Sequence, residues 1–118
     1  MIRKAIAALG MGALTLLPMQ GYASNTNAFG IVVGVFAMAN GAVLFSTDAS
    51  VSARTGIPAC GQGNAARWAI DASTTAGQAA VSVLLTAWSQ HKRVNVVGSG
   101  ACNIWSDTET VAYFLVED

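Results

Sequence analysis

The chain has 118 residues, 53% of them hydrophobic and only 10% charged, with 6 Lys+Arg against 6 Asp+Glu. That length supports one compact domain, and the low charge with high hydrophobicity excludes a disordered chain. A formal net charge of zero also removes the basic footprint expected of a nucleic-acid binder or a polybasic membrane-surface protein.

Residues Met1 to Ser24 carry a basic start (Arg3, Lys4), an apolar stretch from Ala5 to Leu17, then Pro18 and the small residues leading to Gly21-Tyr22-Ala23. This is the order of a secretory signal peptide, and the apolar stretch is too short for a spanning helix. The expected organisation is therefore a signal peptide over 1–24 and a single domain over 25–118, secreted or periplasmic, with no membrane span after cleavage. Without Arg3 and Lys4, Arg54, Arg67, Lys92 and Arg93 stand against Asp48, Asp71, Asp107, Glu109, Glu117 and Asp118, a net −2. Nucleic acid is excluded as a partner on that balance. Export places Cys60 and Cys102 where thiols oxidise, and two cysteines allow one intramolecular pairing. Closing a loop of about 40 residues is worth roughly 4 kcal/mol in the chain-entropy model.

From Phe29 to Thr47 there is no charge, and Gly30 with Gly34 makes a GxxxG pair. The β-branched run Ile31-Val32-Val33 and the Asn40-Gly41 dipeptide between two apolar runs nevertheless predict a β-hairpin with a type I′ turn, not a membrane helix. Residues Asp48 to Ala65, rich in Ser, Thr, Gly and Ala, read as a long loop. Arg67 to Ile70 is a short strand ending at Asp71. Thr75 and Gln78 fit a capping box, and Val81, Leu84, Leu85 and Trp88 form one apolar stripe, so a helix follows. Its other face, Gln78, Ser82, Thr86 and Ser89, is uncharged where Lys and Glu are usual, which marks it as a face that packs against neighbouring subunits. His91, Lys92 and Arg93 come at its C-terminal end, placed to offset the helix dipole.

Val94 to Val97 is a strand, Gly98-Ser99-Gly100 a turn, and Cys102 to Val116 a last extended region with Val111, Tyr113 and Leu115 on one face. The order β-β-β-α-β-β makes the fold mainly β with one helix and is that of the OB-fold, a small Greek-key barrel. An open α+β sheet with the helix on one face is the alternative.

The side chains offer little catalytic chemistry. His91, the one imidazole, lies beside two cations with no orienting acid and reads as a helix-end histidine. Asp71, Asp107 and Glu109 could supply the two carboxylates of a glycosidase, but Asp71 fits the helix start and the other two fit a strand end. No His, Cys and Asp cluster has ligand spacing, and Gly98-Ser99-Gly100 is neither a dinucleotide fingerprint nor a P-loop, so no metal or cofactor is expected. The expectation is a binding protein, not an enzyme. Trp68 and Trp105, with Asn103, Asp107 and Glu109 near them in sequence, are the candidate ligand-binding residues, because aromatic faces among polar groups suit partly apolar ligands. Trp88, on the helix stripe, reads as core.

The stretches Arg67-Trp68-Ala69-Ile70-Asp71-Ala72-Ser73-Thr74, Leu84-Leu85-Thr86-Ala87-Trp88, Arg93-Val94-Asn95-Val96 and Cys102 to Thr110 resemble a group of small exported bacterial proteins described as subtilase-cytotoxin B-subunit-like. The resemblance covers Ala59 to Val116, and none of its motifs is catalytic. It implies an OB-fold like that of the AB5 toxin B subunits, a homopentameric ring with the helix facing the central pore, carbohydrate binding at cell surfaces, and a toxin A subunit as partner. No sugar-contacting position of a toxin B subunit carries over residue by residue. The alternative function is a monomeric exported structural or inhibitor-like envelope protein with no small-molecule ligand.

Overall fold

The computed structural model describes residues 27–48, 54 and 56–117, so the signal peptide expected over 1–24 lies outside the described residues. Five strands and one main helix follow in the order β1 (Asn27–Ala37), β2 (Ala42–Thr47), β3 (Arg67–Asp71), α1 (Thr75–Ser89), β4 (Arg93–Gly98) and β5 (Glu109–Glu117). A 3-10 turn over Ala59–Asn64 interrupts the connection that reads as plain loop in the sequence. The strands close into a ring in the order β1-β2-β3-β5-β4, with β4 paired back onto β1, which rules out the open sheet. Every seam is antiparallel except β3 with β5, which is parallel.

Two bulges decide which side chains enter the ring. On β1 the register steps from Val32 opposite Thr47 to Gly34 opposite Ser46, so Val33 is an extra residue. An extra residue breaks the period of two, and Val32 and Val35 both turn inward while Val33 stays 60% exposed. The bulge also divides the strand's work: residues 27–31 pair with β4 and residues 32–37 with β2. On β5 the register steps from Tyr113 opposite Val97 to Val111 opposite Gly98, leaving Ala112 unmatched. Val111 and Phe114 therefore pack on the core, whereas Tyr113 and Leu115 are exposed. The single face expected for Val111, Tyr113 and Leu115 is broken by that one residue. The final extended region is also shorter than expected: β5 begins at Glu109, and residues 102–108 form a loop.

The β1–β2 turn is not type I′. Gly41 has φ 94° but Asn40 does not have positive φ. Met38 N–H donates to the Ala42 carbonyl and Gly41 N–H to the Met38 carbonyl, which makes a three-residue loop with Gly41 in the left-handed position. Asn40 acts through its side chain instead, its Oδ1 accepting from Ala42 N–H.

Phe45, Trp68, Val94 and Val96, all fully buried, fill the ring, and Phe45 meets Phe114 with centroids 6.2 Å apart. Leu84 and Ala87 of α1 join that cluster from the helix. Leu85 and Trp88 do not; Trp88 is 37% exposed, so its reading as core is corrected. The buried helical positions are Gly77, Leu84 and Ala87, with Ala80 and Val81 packed beside them. A helix pressed against the ring has room only for small side chains around one leucine, and the large ones rotate outward. The capping box moves too. The N-cap is Thr74, whose hydroxyl accepts from Gly77 N–H at 2.9 Å, and Gln78 reaches back to the Ala72 carbonyl. At the other end His91 N–H donates to the Trp88 carbonyl and Lys92 N–H to the Ala87 carbonyl, a Schellman motif with His91 at φ 54°. His91 to Arg93 thus follow the helix and lie outside its last turn.

Candidate functional site

Cys60 and Cys102 are joined, and their bond ties the 3-10 turn to the loop between β4 and β5. This is in keeping with a non-cytoplasmic protein, and no helix among the described residues is long and apolar enough to cross a membrane. The two tied segments cover one end of the β3–β5 seam. Beneath them lies Glu109, fully buried at the first position of β5 and opposite Trp68 in the parallel register.

A buried carboxylate needs partners, and Glu109 has one on the covering loop, Gly100, and one upstream of the 3-10 turn, Arg54. Its Oε1 accepts from Arg54 Nη2, and its Oε2 accepts from Gly100 N–H at 2.8 Å. The Arg54 guanidinium also sits over Trp68, its Cζ 3.9 Å from the ring centroid, and donates through Nη1 to the Ala65 carbonyl. Burial pulls Arg54 below its ordinary pKa, and the Glu109 carboxylate pulls the other way. Three polar atoms here, Arg54 Nε, Trp68 Nε1 and Thr47 Oγ1, are buried without a hydrogen-bond partner among the described residues.

A second, more exposed pair closes the same seam. Arg67 Nη2 donates to Asp107 Oδ1 at 2.7 Å, and its Nε to Thr108 Oγ1 at 2.9 Å. Asn64 Nδ2 donates to the Asp107 carbonyl at 3.3 Å, linking the 3-10 turn to the loop again. Thr110 Oγ1 donates to Asn103 Oδ1 at 2.6 Å.

The five candidate ligand residues therefore divide. Asn103 and Asp107 are exposed and Trp105 is half-buried, all on the loop that the disulfide holds. Trp68 and Glu109 are 0% exposed and present no surface to a ligand. Both lie on extended segments, as the sequence predicts, but their side chains are buried instead of facing a ligand. Arg54 and Arg67, which organise this end, escape the sequence reading; the signal available was that a Glu109 placed in the ring must find a cation, and only four Lys and Arg residues lie beyond residue 24.

Elsewhere the conspicuous surface is around α1. Gln78, Ser82, Thr86 and Ser89 are all exposed, as are Val83, Leu85, Tyr113, Leu115 and Val116. Thr86 and Ser89 hydroxyls donate to the Ser82 and Thr86 carbonyls, which hides part of their polarity within the helix. Two grooves flank the helix. One of about 430 Å³ opens where β3 and β5 diverge, lined by Ile70, Val83, Ile104, Tyr113 and Phe114 among others. The other, about 420 Å³, lies between the C-terminal half of α1 and Val116.

No group of His, Cys, Asp and Glu among the described residues could hold a metal ion. Comparison with protein-family models, with curated proteins and with solved structures finds no match to this chain.

Proposed function

We propose that the chain is an exported, non-catalytic binding module of the toxin B-subunit kind, an OB-fold that assembles through its helix face and recognises glycans through the loop carrying Asn103, Trp105 and Asp107. The observation that carries this reading is the α1–β5 surface. No charge occurs from Thr75 to Gln90 or from Thr110 to Val116, yet Val83, Leu85, Tyr113, Leu115 and Val116 are exposed there. An uncharged surface with exposed large apolar side chains marks an interaction site, and a second copy of this chain offers the same uncharged surface. The ring order, with one parallel seam and the helix between β3 and β4, supports the OB-fold assignment. A rigid loop suits sugar binding because less ordering entropy is lost on association, and the disulfide supplies that rigidity. A homopentamer, and a toxin A subunit seated on it, extend the same reading.

Light scattering on the oxidised, exported protein at high micromolar concentration tests the assembly. A mass several times that of one chain is expected, five times for the ring, and a clean monomer removes the main support. A glycan array tests the ligand: binding by wild type that Trp105→Ala abolishes without unfolding supports it, and no binder on the array discards it. A monomeric structural or inhibitor-like protein is the second reading. It is favoured by the burial of Trp68 and Glu109, which turns two of the five candidate ligand residues into scaffold.

A further inference from the structure

The ring has one weak seam. β3 and β5 pair at two positions only, Trp68 with Glu109 and Ala69 with Thr110, and then diverge around the larger groove. Each of the other four seams pairs at five or more positions. Parallel pairing is also slightly less stable per residue than antiparallel. What closes this seam is largely outside the strands: the Cys60–Cys102 bond, Arg54 and Gly100 on Glu109, and Arg67 and Asn64 on the 107–108 turn.

These closures come from the 3-10 turn, Arg54, Arg67 and the 99–108 loop, and neither the turn nor the loop contributes a residue to the buried apolar cluster. Phe45, Leu84, Val94 and Val96 therefore cluster with one another without a residue from either segment. Opening also has a local compensation, because water would reach the unpartnered Arg54 Nε and Trp68 Nε1. Cys60 is exposed and Cys102 half-buried, so Cys60 is the more accessible residue of the bond.

We infer that Cys60–Cys102 is a reducible latch on the β3–β5 seam, whose opening uncovers Trp68 and the Arg54–Glu109 pair while the other four seams stay formed. The reductant is a dithiol. One of its thiolates attacks Cys60 Sγ, Cys102 leaves as a thiolate, and the second thiol of the dithiol displaces Cys60 from the mixed disulfide. Two electrons and two protons pass to the protein, giving two cysteine thiols and one oxidised dithiol. The opened seam exposes unpaired edges of β3 and β5, which are templates for adding another strand. The inference does not depend on the glycan reading.

Amide hydrogen exchange on the full protein, oxidised and then reduced with dithiothreitol, tests this. The informative amides are Gly100, bonded to Glu109, and those of Trp68, Ala69 and Glu109 at the β3–β5 pairing positions. Their protection should fall at least about tenfold on reduction, while amides in the β1–β2 and β4–β5 seams change by less than about threefold. In a Trp88→Phe, Trp105→Phe background, Trp68 emission should shift to the red and become quenchable by acrylamide, and reoxidation should reverse both. Simultaneous loss of protection at every amide would make the bridge a staple of the whole fold and overturn the latch. Unchanged exchange and unchanged Trp68 quenching in the reduced protein would overturn it equally. The Cys60→Ser, Cys102→Ser variant should reproduce the reduced pattern without any reductant, and an oxidised-like pattern in it would count against the latch.

Discussion

Asp71 and Gly77 stand so close that a Cβ built on Gly77 would lie 1.7 Å from the Asp71 carbonyl oxygen. The first turn of α1 rests on the end of β3 because position 77 has no side chain. Gly77→Ala gains helix propensity worth about 1 kcal/mol, but it must push helix from strand, and overpacking of this kind costs about 1–3 kcal/mol. The backbone collision should win. With a backbone atom in the way the cost lies in the upper part of that range, so urea unfolding should show a net loss of about 1–2 kcal/mol, whereas an Ala at least as stable as Gly would mean that the helix shifts freely.

The Arg54–Glu109 pair has side chains 4% and 0% exposed. Removing one partner of a buried pair typically costs about 3–5 kcal/mol because the other charge is stranded. Arg54→Met should fall in that range in denaturant titrations at pH 7. A loss of about 1 kcal/mol or less would show that the pair contributes little to this end of the ring.

Asp71 makes a pH-dependent contribution. Its Oδ1 accepts from the Ser73 hydroxyl at 2.6 Å and the Ser73 N–H at 2.9 Å, and these bonds hold its carboxyl below the usual range. A depressed folded pKa contributes stability above the unfolded value, about 3.9, that is lost as pH falls through the folded one. Ser73→Ala should raise the Asp71 pKa toward its ordinary value, read by carboxyl-carbon NMR titration. An unmoved titration would show that the hydroxyl contributes nothing.

His91 ends the helix in a conformation that favours glycine, which costs an L-residue roughly 1–2 kcal/mol. His91→Gly should therefore raise stability by about 0.5–1 kcal/mol, after glycine's extra unfolded-state entropy is subtracted. A lower melting temperature for the glycine variant would mean that the imidazole makes a contact worth more than the strain.

Leu85 and Tyr113 separate assembly from folding. They are 44% and 57% exposed, while Leu84 between them in the fold is fully buried. Leu84→Ala should cost about 2–5 kcal/mol. Leu85→Ser with Tyr113→Ser should change monomer stability by about 1 kcal/mol at most and weaken self-association at least tenfold in sedimentation experiments. Equal association by the double variant would move the interface off the α1–β5 surface.

Much of the fold was legible in the chain because the deciding signals are local. β-branched runs set the strands, Asn40-Gly41 set the turn between the first two, and the periodic apolar residues with a capping threonine nearby set the helix. Pairing of Cys60 with Cys102 followed from there being only two cysteines. Which side chains face inward was not local. Val33 and Ala112 are ordinary residues in sequence, and they become bulges only because the ring must bend and close there, which reverses the alternation beyond each. The helix stripe rotated for a related reason: the space above the ring admits Gly77 and Ala87 but not Leu85 or Trp88. The candidate site was misgrouped because Asp107 and Glu109, two positions apart, would share a face only if both lay on a strand, whereas β5 starts at Glu109 and Asp107 sits on the loop before it. Thus Glu109 is inside while Asp107 is outside. The partner of Glu109 is Arg54, 55 positions away, and no local pattern could have joined them. Composition and spacing determined an exported-looking, disulfide-bonded β-protein with one uncharged helix; only closure of the ring decided which of its aromatic and acidic side chains are core and which remain free to meet a partner.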